Sequence, residues 1–176
     1  MKLEEALHTI RSFTGKTLEE LSMSRPQLVV FLRHSGCTFC RQTLSDLAGL
    51  ADEFKKQGVG LVLVHQNDQA EGARWFAEYG LADAEQISDP KTELYKAFQL
   101  GRASLIDILR PSVWWIGFRA AVFQGHWFGK IVGDVFQLPG AFLIDNGQVV
   151  RSYRHQLASD RPDYLQIACP IPAKTN

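Results

Sequence analysis

Two cysteines stand three residues apart in the segment Cys37-Thr38-Phe39-Cys40, and this spacing is the strongest chemical signal in the sequence. Residues three apart on a helix face the same side, so the two sulfurs could form a disulfide without movement of the backbone. Thiols in such a pair can exchange with disulfides or be oxidised by peroxides. The pair therefore predicts thiol–disulfide redox chemistry.

The residues around the pair predict a turn from a strand into a helix. A buried strand over 28–32 ends near Arg33, Gly36 permits a sharp turn, and a helix then begins. We expect Cys37 at the exposed N-terminus of that helix, where free backbone N–H groups and the helix dipole favour a thiolate. Cys40, one turn deeper, is the predicted resolving thiol.

The polar residues nearby have both a functional and a purely structural interpretation. Arg33, His34 and Arg41 could add positive charge that lowers the pKa of Cys37. Arginines are more often surface charges, and His34 could equally be a solvated loop histidine. Cys169 has no positive surroundings in the sequence and is interpreted as a bystander, and His155 as part of a solvated strand end.

Other interpretations of the cysteine pair stay open. A tetrahedral zinc site needs four ligands, and the pair supplies two. Cys169 and a histidine could contribute, but their spacing is unlike that of a zinc finger. The pair could also be packed inertly in a core. A further alternative is a redox-sensing module that binds another protein without turnover.

The apolar pattern predicts an α/β fold in which parallel strands alternate with helices. Asn146-Gly147 between two apolar runs is a strong hairpin signal, so an antiparallel hairpin and a last helix should follow. This order is typical of thioredoxin-like folds, a central mixed sheet with helices on both faces. The predicted elements are a helix over 3–13, a strand over 28–32, a helix ending at Gly58, a strand over 61–64, a helix over 73–79, a strand over 86–88, a helix opened by Asp89-Pro90, a hairpin over 142–150 and a helix opened by 160–162.

Length and charge limit the function further. The 176 residues suit a single domain over 1–176, and the 19 basic and 19 acidic side chains cancel. A balanced charge gives no reason to expect nucleic acid or an anionic membrane as partner. Acidic residues near the N-terminus argue against a signal peptide, and the apolar stretch over 113–123 is too short to cross a bilayer. We therefore expect a cytoplasmic protein.

Two segments fall outside the core pattern. Residues 1–25 form a predicted N-terminal helical extension, and about 101–138 form an insertion with a helix over 112–123 and an irregular turn over 125–133. The insertion could pack on the sheet, wall a substrate groove or dock a partner. Its aromatic side chains are Trp114, Trp115, Phe118, Phe123, Trp127 and Phe128.

With these residues in view, the chain resembles the peroxiredoxin-like proteins of the alkyl hydroperoxide reductase/thiol-specific antioxidant (AhpC/TSA) superfamily. It is most similar to the branch related to selenoprotein L and peroxiredoxin-like 2, which carries Cys-x-x-Cys or its selenocysteine counterpart. The resemblance covers most of the chain from about Leu28 onward. The matching segments are 31–41, 88–98, 138–144, 153–155 and 159–162.

The resemblance implies a thioredoxin-like fold and a site that matches the family pattern at Pro139 and departs from it ahead of Cys37. Pro139 matches the position of the cis-proline that lies against the cysteines in such folds; the alternative is a trans proline opening an edge strand. Peroxiredoxins place a proline and a threonine or serine ahead of the reactive cysteine, whereas this chain has Ser35 and Gly36. Ser35 is the candidate replacement hydroxyl. The departures favour disulfide exchange over efficient peroxide reduction.

The expected protein is therefore a thiol-dependent oxidoreductase and antioxidant enzyme that uses a Cys37/Cys40 couple. Its substrates would be small-molecule or protein disulfides, or peroxides, and a cellular thiol system such as thioredoxin or glutathione would restore the dithiol. No organic cofactor and no metal are expected. Relatives in one branch of the superfamily act on prostaglandin-type endoperoxides.

Overall fold

The computed structural model describes residues 1–103 and 133–169. Over these ranges the helices are α1 (Leu3–Thr9), α2 (Leu18–Ser24), α3 (Thr38–Lys56), α4 (Gln69–Glu78), α5 (Glu93–Ala97) and α6 (Tyr164–Ala168). The strands are β1 (Gln27–Phe31), β2 (Gly60–His65), β3 (Glu85–Ser88), β4 (Gly140–Asp145) and β5 (Gln148–Arg154).

The strands form one mixed sheet in the order β3-β2-β1-β4-β5. β1 pairs in parallel with β2, and β2 in parallel with β3, because each crossover carries a helix. β4 runs antiparallel to both β1 and β5. Parallel units followed by an antiparallel hairpin confirm the predicted thioredoxin-like α/β fold.

Alternation along β1 divides the core between the two faces of the sheet. Leu28 and Val30 point to a core shared with α3, α4 and α6. Val29 and Phe31 point to a second core shared with α1, α2 and α5. Because successive side chains of a strand point to opposite faces, a strand with cores on both sides reads as a continuous apolar run.

The helix that follows the cysteines is built as predicted. Its buried face includes Leu44, Leu47 and Phe54, while Lys55 and Lys56 are exposed. Gly58, with φ of +69°, follows its end in the left-handed conformation that glycine adopts at little cost.

The hairpin between β4 and β5 is also as predicted. Asn146 and Gly147 have φ of +47° and +72°, the two positive values that a tight two-residue hairpin turn requires. The hairpin places β4 beside β1, next to the strand that leads to the cysteines.

Four predicted helix boundaries are wrong. The first helix ends at Thr9 rather than near 13, and a separate helix α2, capped by Thr17, lies within the segment 1–25 that was predicted as a helical extension. The helix expected over 73–79 is α4, which begins at Gln69 after the cap Asp68. α5 begins at Glu93, and the carboxylate of Asp89 accepts backbone N–H groups of its first turn from four residues upstream. α6 begins at Tyr164 after the cap Asp163, so 160–162 lies in the preceding loop. The start of α5 was misplaced because a side chain can also cap a helix from across a short turn.

Most of the predicted insertion lies outside the described residues, including the helix over 112–123 and all but the last residue of the turn over 125–133. Its two described ends pair through an antiparallel bridge between Arg102 and Gln137. The division of the chain into one domain with an extension and an insertion stays a prediction. In the described ranges there is no helix long and apolar enough to cross a membrane.

Candidate active site

The cysteine pair lies where β1 passes into α3. Cys37 is the N-cap of α3, and its Sγ accepts a hydrogen bond from the backbone N–H of Cys40 at 3.2 Å. The local turn is closed by the Cys37 N–H, which donates to the carbonyl of His34 at 3.0 Å. Cys37 is only 4% exposed and Cys40 2%. The expectation that Cys37 is exposed is therefore wrong, because the loop ahead of α3 is folded into the core.

Arg33 connects the two sulfurs to the rest of the fold. Its Nη2 donates to the Sγ of Cys37 at 3.0 Å, and its backbone N–H donates to the Sγ of Cys40 at 3.2 Å. Its Nη1 donates to the carbonyl of Val135 at 2.6 Å. The planar guanidinium can form both side-chain bonds at once because its donors diverge in a fixed fork. Arg33 is thus a half-buried cation placed against the thiol pair.

The two thiols have opposite ionisation behaviour. Burial would raise the pKa of Cys37, but the Cys40 side chain, the Arg33 charge and the Cys40 backbone N–H stabilise the thiolate and lower that pKa to about 6. Burial raises the pKa of Cys40 well above its usual value, and the Cys37 thiolate raises it further. The thiolates in turn raise the pKa of Arg33 above its ordinary value despite burial. Of the two thiols, Cys37 is therefore the one whose surroundings favour the thiolate.

The loop ahead of Cys37 is held by polar contacts with its neighbours. The Ser35 hydroxyl interacts with Glu71 at 3.1 Å and accepts from Asn67 Nδ2 at 2.9 Å. The Ser35 N–H donates to Asn67 Oδ1, and Arg41 Nε donates to the Ser35 carbonyl at 2.8 Å. Gly36 is buried in the turn itself. Ser35 and Arg41 thus contact the loop, and neither has a described hydrogen bond to a sulfur.

His34 and His155 are both buried. Burial, reinforced by the Arg33 charge, lowers the pKa of His34 to about 4, so His34 is neither a source of positive charge for Cys37 at neutral pH nor a solvated loop histidine. His155 is 6% exposed, and burial lowers its pKa to about 4 as well. The prediction of a solvated strand end at His155 is wrong: His155 directly follows β5, and its backbone N–H is tied to the Pro139 carbonyl at the start of β4, which keeps the side chain buried.

Pro139 is buried directly before β4. No cis peptide bond occurs in the described residues, so the bond from Leu138 to Pro139 is trans and the cis expectation is wrong. β4 is flanked by β1 and β5, so it is not an edge strand either. The Pro139 carbonyl accepts the His155 N–H at 3.3 Å, which ties the start of β4 to the end of β5.

The sequence analysis missed the polar residues that follow β2. Gln66 and Asn67 are both fully buried, and Asn67 holds Ser35 while Gln66 holds Asp134. The available signal was position: two uncharged polar residues directly follow a buried strand parallel to β1. The carboxyl ends of adjacent parallel strands meet at one edge of a sheet, where sites commonly form.

The described residues do not support the alternative of a metal site. Residues 1–103 and 133–169 contain no group of three or more His, Cys, Asp or Glu side chains placed to hold a metal ion. Cys169 is exposed at the end of α6.

The mixed sheet, with two cysteines at the N-terminal end of the helix that follows its central strand, defines a protein of the thioredoxin fold. The family model of the AhpC/TSA antioxidant enzymes matches residues 46–158, which is well over half of the chain. The chain belongs to this family. The match begins after the cysteine pair, so the roles of Cys37 and Cys40 rest on the site itself.

Individual relatives agree with this assignment. Peroxiredoxin-like 2A of Rattus norvegicus is 28% identical over 159 residues, covering 89% of this chain and 66% of that protein. Prostamide/prostaglandin F synthase of Danio rerio is 25% identical over 171 residues, covering 93% of this chain and 83% of the relative. The chain thus spans just under two thirds of the rat protein's length.

A solved structure, peroxiredoxin Q of Xanthomonas campestris, superposes with a TM-score of 0.60 at 18% identity, covering 85% of this chain and 82% of that chain. This likeness shows the fold.

Proposed function

We propose that this protein is a thiol-dependent oxidoreductase in which Cys37 is the nucleophile and Cys40 the resolving thiol. The observation that carries the proposal is the 3.0 Å contact between Arg33 Nη2 and Cys37 Sγ, which stabilises the Cys37 thiolate. At Cys40, burial and the Cys37 thiolate outweigh the Arg33 charge, so the pKa of Cys40 is raised. With a pKa of about 6, Cys37 is about nine-tenths ionised at pH 7. Cys40, whose pKa is raised, keeps its proton until a mixed disulfide or a sulfenic acid has formed on Cys37.

With a disulfide substrate the cycle has two displacement steps. The Cys37 thiolate attacks one substrate sulfur, the S–S bond breaks, and the other sulfur leaves as a thiolate that takes up a proton. Cys40 then loses its proton and attacks Cys37 Sγ, and the second substrate thiol is released. The substrate gains two electrons and two protons, and the protein is left with a Cys37–Cys40 disulfide. A cellular thiol, from a thioredoxin or glutathione system, reduces that disulfide again.

Peroxide reduction is a second candidate, favoured by the burial of Cys37. Because its side chain is 4% exposed, a small substrate reaches the sulfur with less rearrangement than a folded protein does. The thiolate attacks one peroxide oxygen, the O–O bond breaks, and the leaving alkoxide takes a proton and departs as an alcohol. Cys40 then condenses with the sulfenic acid on Cys37, which releases water. The name of the Danio rerio relative, prostamide/prostaglandin F synthase, supports extending this candidate to prostaglandin-type endoperoxides. With such a substrate both oxygens stay on carbon: attack on one oxygen leaves it bonded to Cys37 Sγ while the other becomes a hydroxyl, and Cys40 then attacks Cys37 Sγ, so that the first oxygen leaves as the second hydroxyl and the Cys37–Cys40 disulfide forms.

Mass measurement of the oxidised protein tests the couple directly. The experiment uses a Cys169→Ser background, so that the exposed third cysteine cannot contribute. Mild oxidation should remove two hydrogens per chain, and peptide mapping should locate the bond between residues 37 and 40. Cys40→Ser should instead accumulate a mixed disulfide with a small disulfide substrate. Failure of the parent protein to form the 37–40 bond would overturn the proposal.

Turnover separates the enzyme from the redox-sensing alternative. Cys37→Ser should abolish reduction of both disulfide and peroxide substrates, whereas a docking module without turnover shows no catalysis in the parent protein either. Measuring both substrates on one preparation decides between disulfide exchange and peroxide reduction.

A further inference from the structure

Gln66 occupies an unusual position between the cysteine loop and the segment 133–135. Its side chain is fully buried after the end of β2. Its Oε1 accepts the backbone N–H of Asp134 at 2.6 Å, and its Nε2 donates to the carbonyl of Asp134 at 3.4 Å. One side-chain amide therefore pairs with both backbone groups of a single residue, as a neighbouring strand would.

The same segment supplies the acceptor that orients Arg33. The carbonyl of Val135, next to Asp134, accepts from Arg33 Nη1 at 2.6 Å. The backbone N–H of Gln66 also donates to the carbonyl of Arg33 at 2.9 Å. Gln66 thus holds the main chain of Arg33 on one side and the acceptor of its guanidinium on the other.

Gly133 shows how closely this contact is fitted. A Cβ atom at that position would lie 2.3 Å from Gln66 Oε1, and the backbone has φ of +73°. A side chain there would push the Gln66 amide away and would also strain the backbone. Asp134 also forms an ion pair with Arg102, whose side chain is 65% exposed, so this pair should contribute little. The carbonyl and the carboxylate of Asp134 accept the N–H groups of Gln137 and Phe136, but these bonds lie within the same stretch of chain and do not tie it to β2.

From these contacts we infer that Gln66 is a positioning residue that fixes Arg33 against Cys37 by holding the segment 133–135. An arginine side chain has many rotamers, and fixing it costs entropy that a single sulfur contact offsets poorly. The Val135 carbonyl provides the second contact that fixes the fork. If Gln66 is removed, that carbonyl moves, the guanidinium relaxes away from the sulfur, and the thiolate loses its cation. The inference rests on the proposed role of Cys37.

The test measures the ionisation of Cys37 from the pH dependence of its alkylation by iodoacetamide, in the Cys169→Ser background. Gln66→Ala should raise the Cys37 pKa by about one unit, the lower end of the effect of a displaced nearby charge. The matched control is Gln27→Ala, since Gln27 is another buried glutamine whose amide donates to two backbone carbonyls, but it lies at the first position of β1, at the other end of that strand from Arg33. Gln27→Ala should cost stability and leave the Cys37 pKa unchanged.

Two further variants show whether the effect passes through Arg33. Gly133→Ala should raise the Cys37 pKa in the same direction as Gln66→Ala, because it displaces the same amide. In an Arg33→Met background, Gln66→Ala should add no further shift. An unchanged pKa in both Gln66→Ala and Gly133→Ala, or an additive shift in the double variant, would overturn the inference. A parent protein without a low Cys37 pKa would instead contradict the proposed function.

Discussion

Replacing Arg33 with methionine removes the one cation bonded to Cys37 in the described structure while keeping much of the side-chain volume. The loss of a positive charge at this distance raises the pKa of an acidic group by about 1–3 units. From the parent value of about 6, a shift of about two units gives a pKa near 8. The thiolate fraction at pH 7 would fall from about nine-tenths to about one-tenth.

The alkylation rate at a single pH is a poor measure of this change. A thiolate of higher pKa is more nucleophilic, and a Brønsted slope near 0.45 makes each remaining thiolate about eightfold more reactive after a two-unit shift. At pH 7 the two effects nearly cancel. At pH 5.5 the variant should react about tenfold more slowly than the parent, and above pH 9 about eightfold faster.

The assay is therefore the full pH–rate profile between pH 5 and 10 in the Cys169→Ser background. The control is Arg25→Met, which removes an exposed arginine just before β1, at the opposite end of that strand. The pH–rate profile of Arg25→Met should have the same midpoint as that of the parent protein. Rates that are lower at every pH would indicate lost access or folding, and an unmoved midpoint for Arg33→Met would refute the electrostatic reasoning.

Further predictions concern stability. His65 and His155 are buried and have pKa values lowered to about 4, chiefly by burial, so the unfolded state binds more protons below pH 6.5. Stability should fall as pH drops from about 6.5 towards 4, by about 2 kcal/mol for each histidine at pH 5, and urea titrations at pH 5 and 8 measure it. Gly72→Ala should cost about 1–3 kcal/mol, because its Cβ would lie 2.2 Å from the His65 ring, and thermal unfolding checks this. Asp89→Ala should cost about 1–2 kcal/mol by removing the cap of α5, while Asp89→Asn, which keeps one acceptor oxygen, should cost less in the same denaturation assay.

Several elements could be predicted because their signals are local. The apolar run of β1, the helical stripe of α3 and the Asn146-Gly147 turn each depend on residues a few positions apart. Helix boundaries were less well predicted. Asp89 resembles an immediate cap in sequence, but its carboxylate reaches over a short turn to Glu93, and turns of this kind have weak sequence signals.

The sequence by itself determined the spacing of the two cysteines and the fold that carries them, since three-residue spacing and strand–helix alternation are encoded in neighbouring residues. Tertiary structure alone decided which groups surround the two sulfurs. Arg33 reaches Val135 across 102 positions of the chain, and Gln66 reaches Asp134 across 68. These contacts exist only after β4 has paired with β1 and brought distant segments together. Burial of Cys37 and His155 was decided at the same stage, because exposure depends on what packs over a residue rather than on its neighbours in sequence.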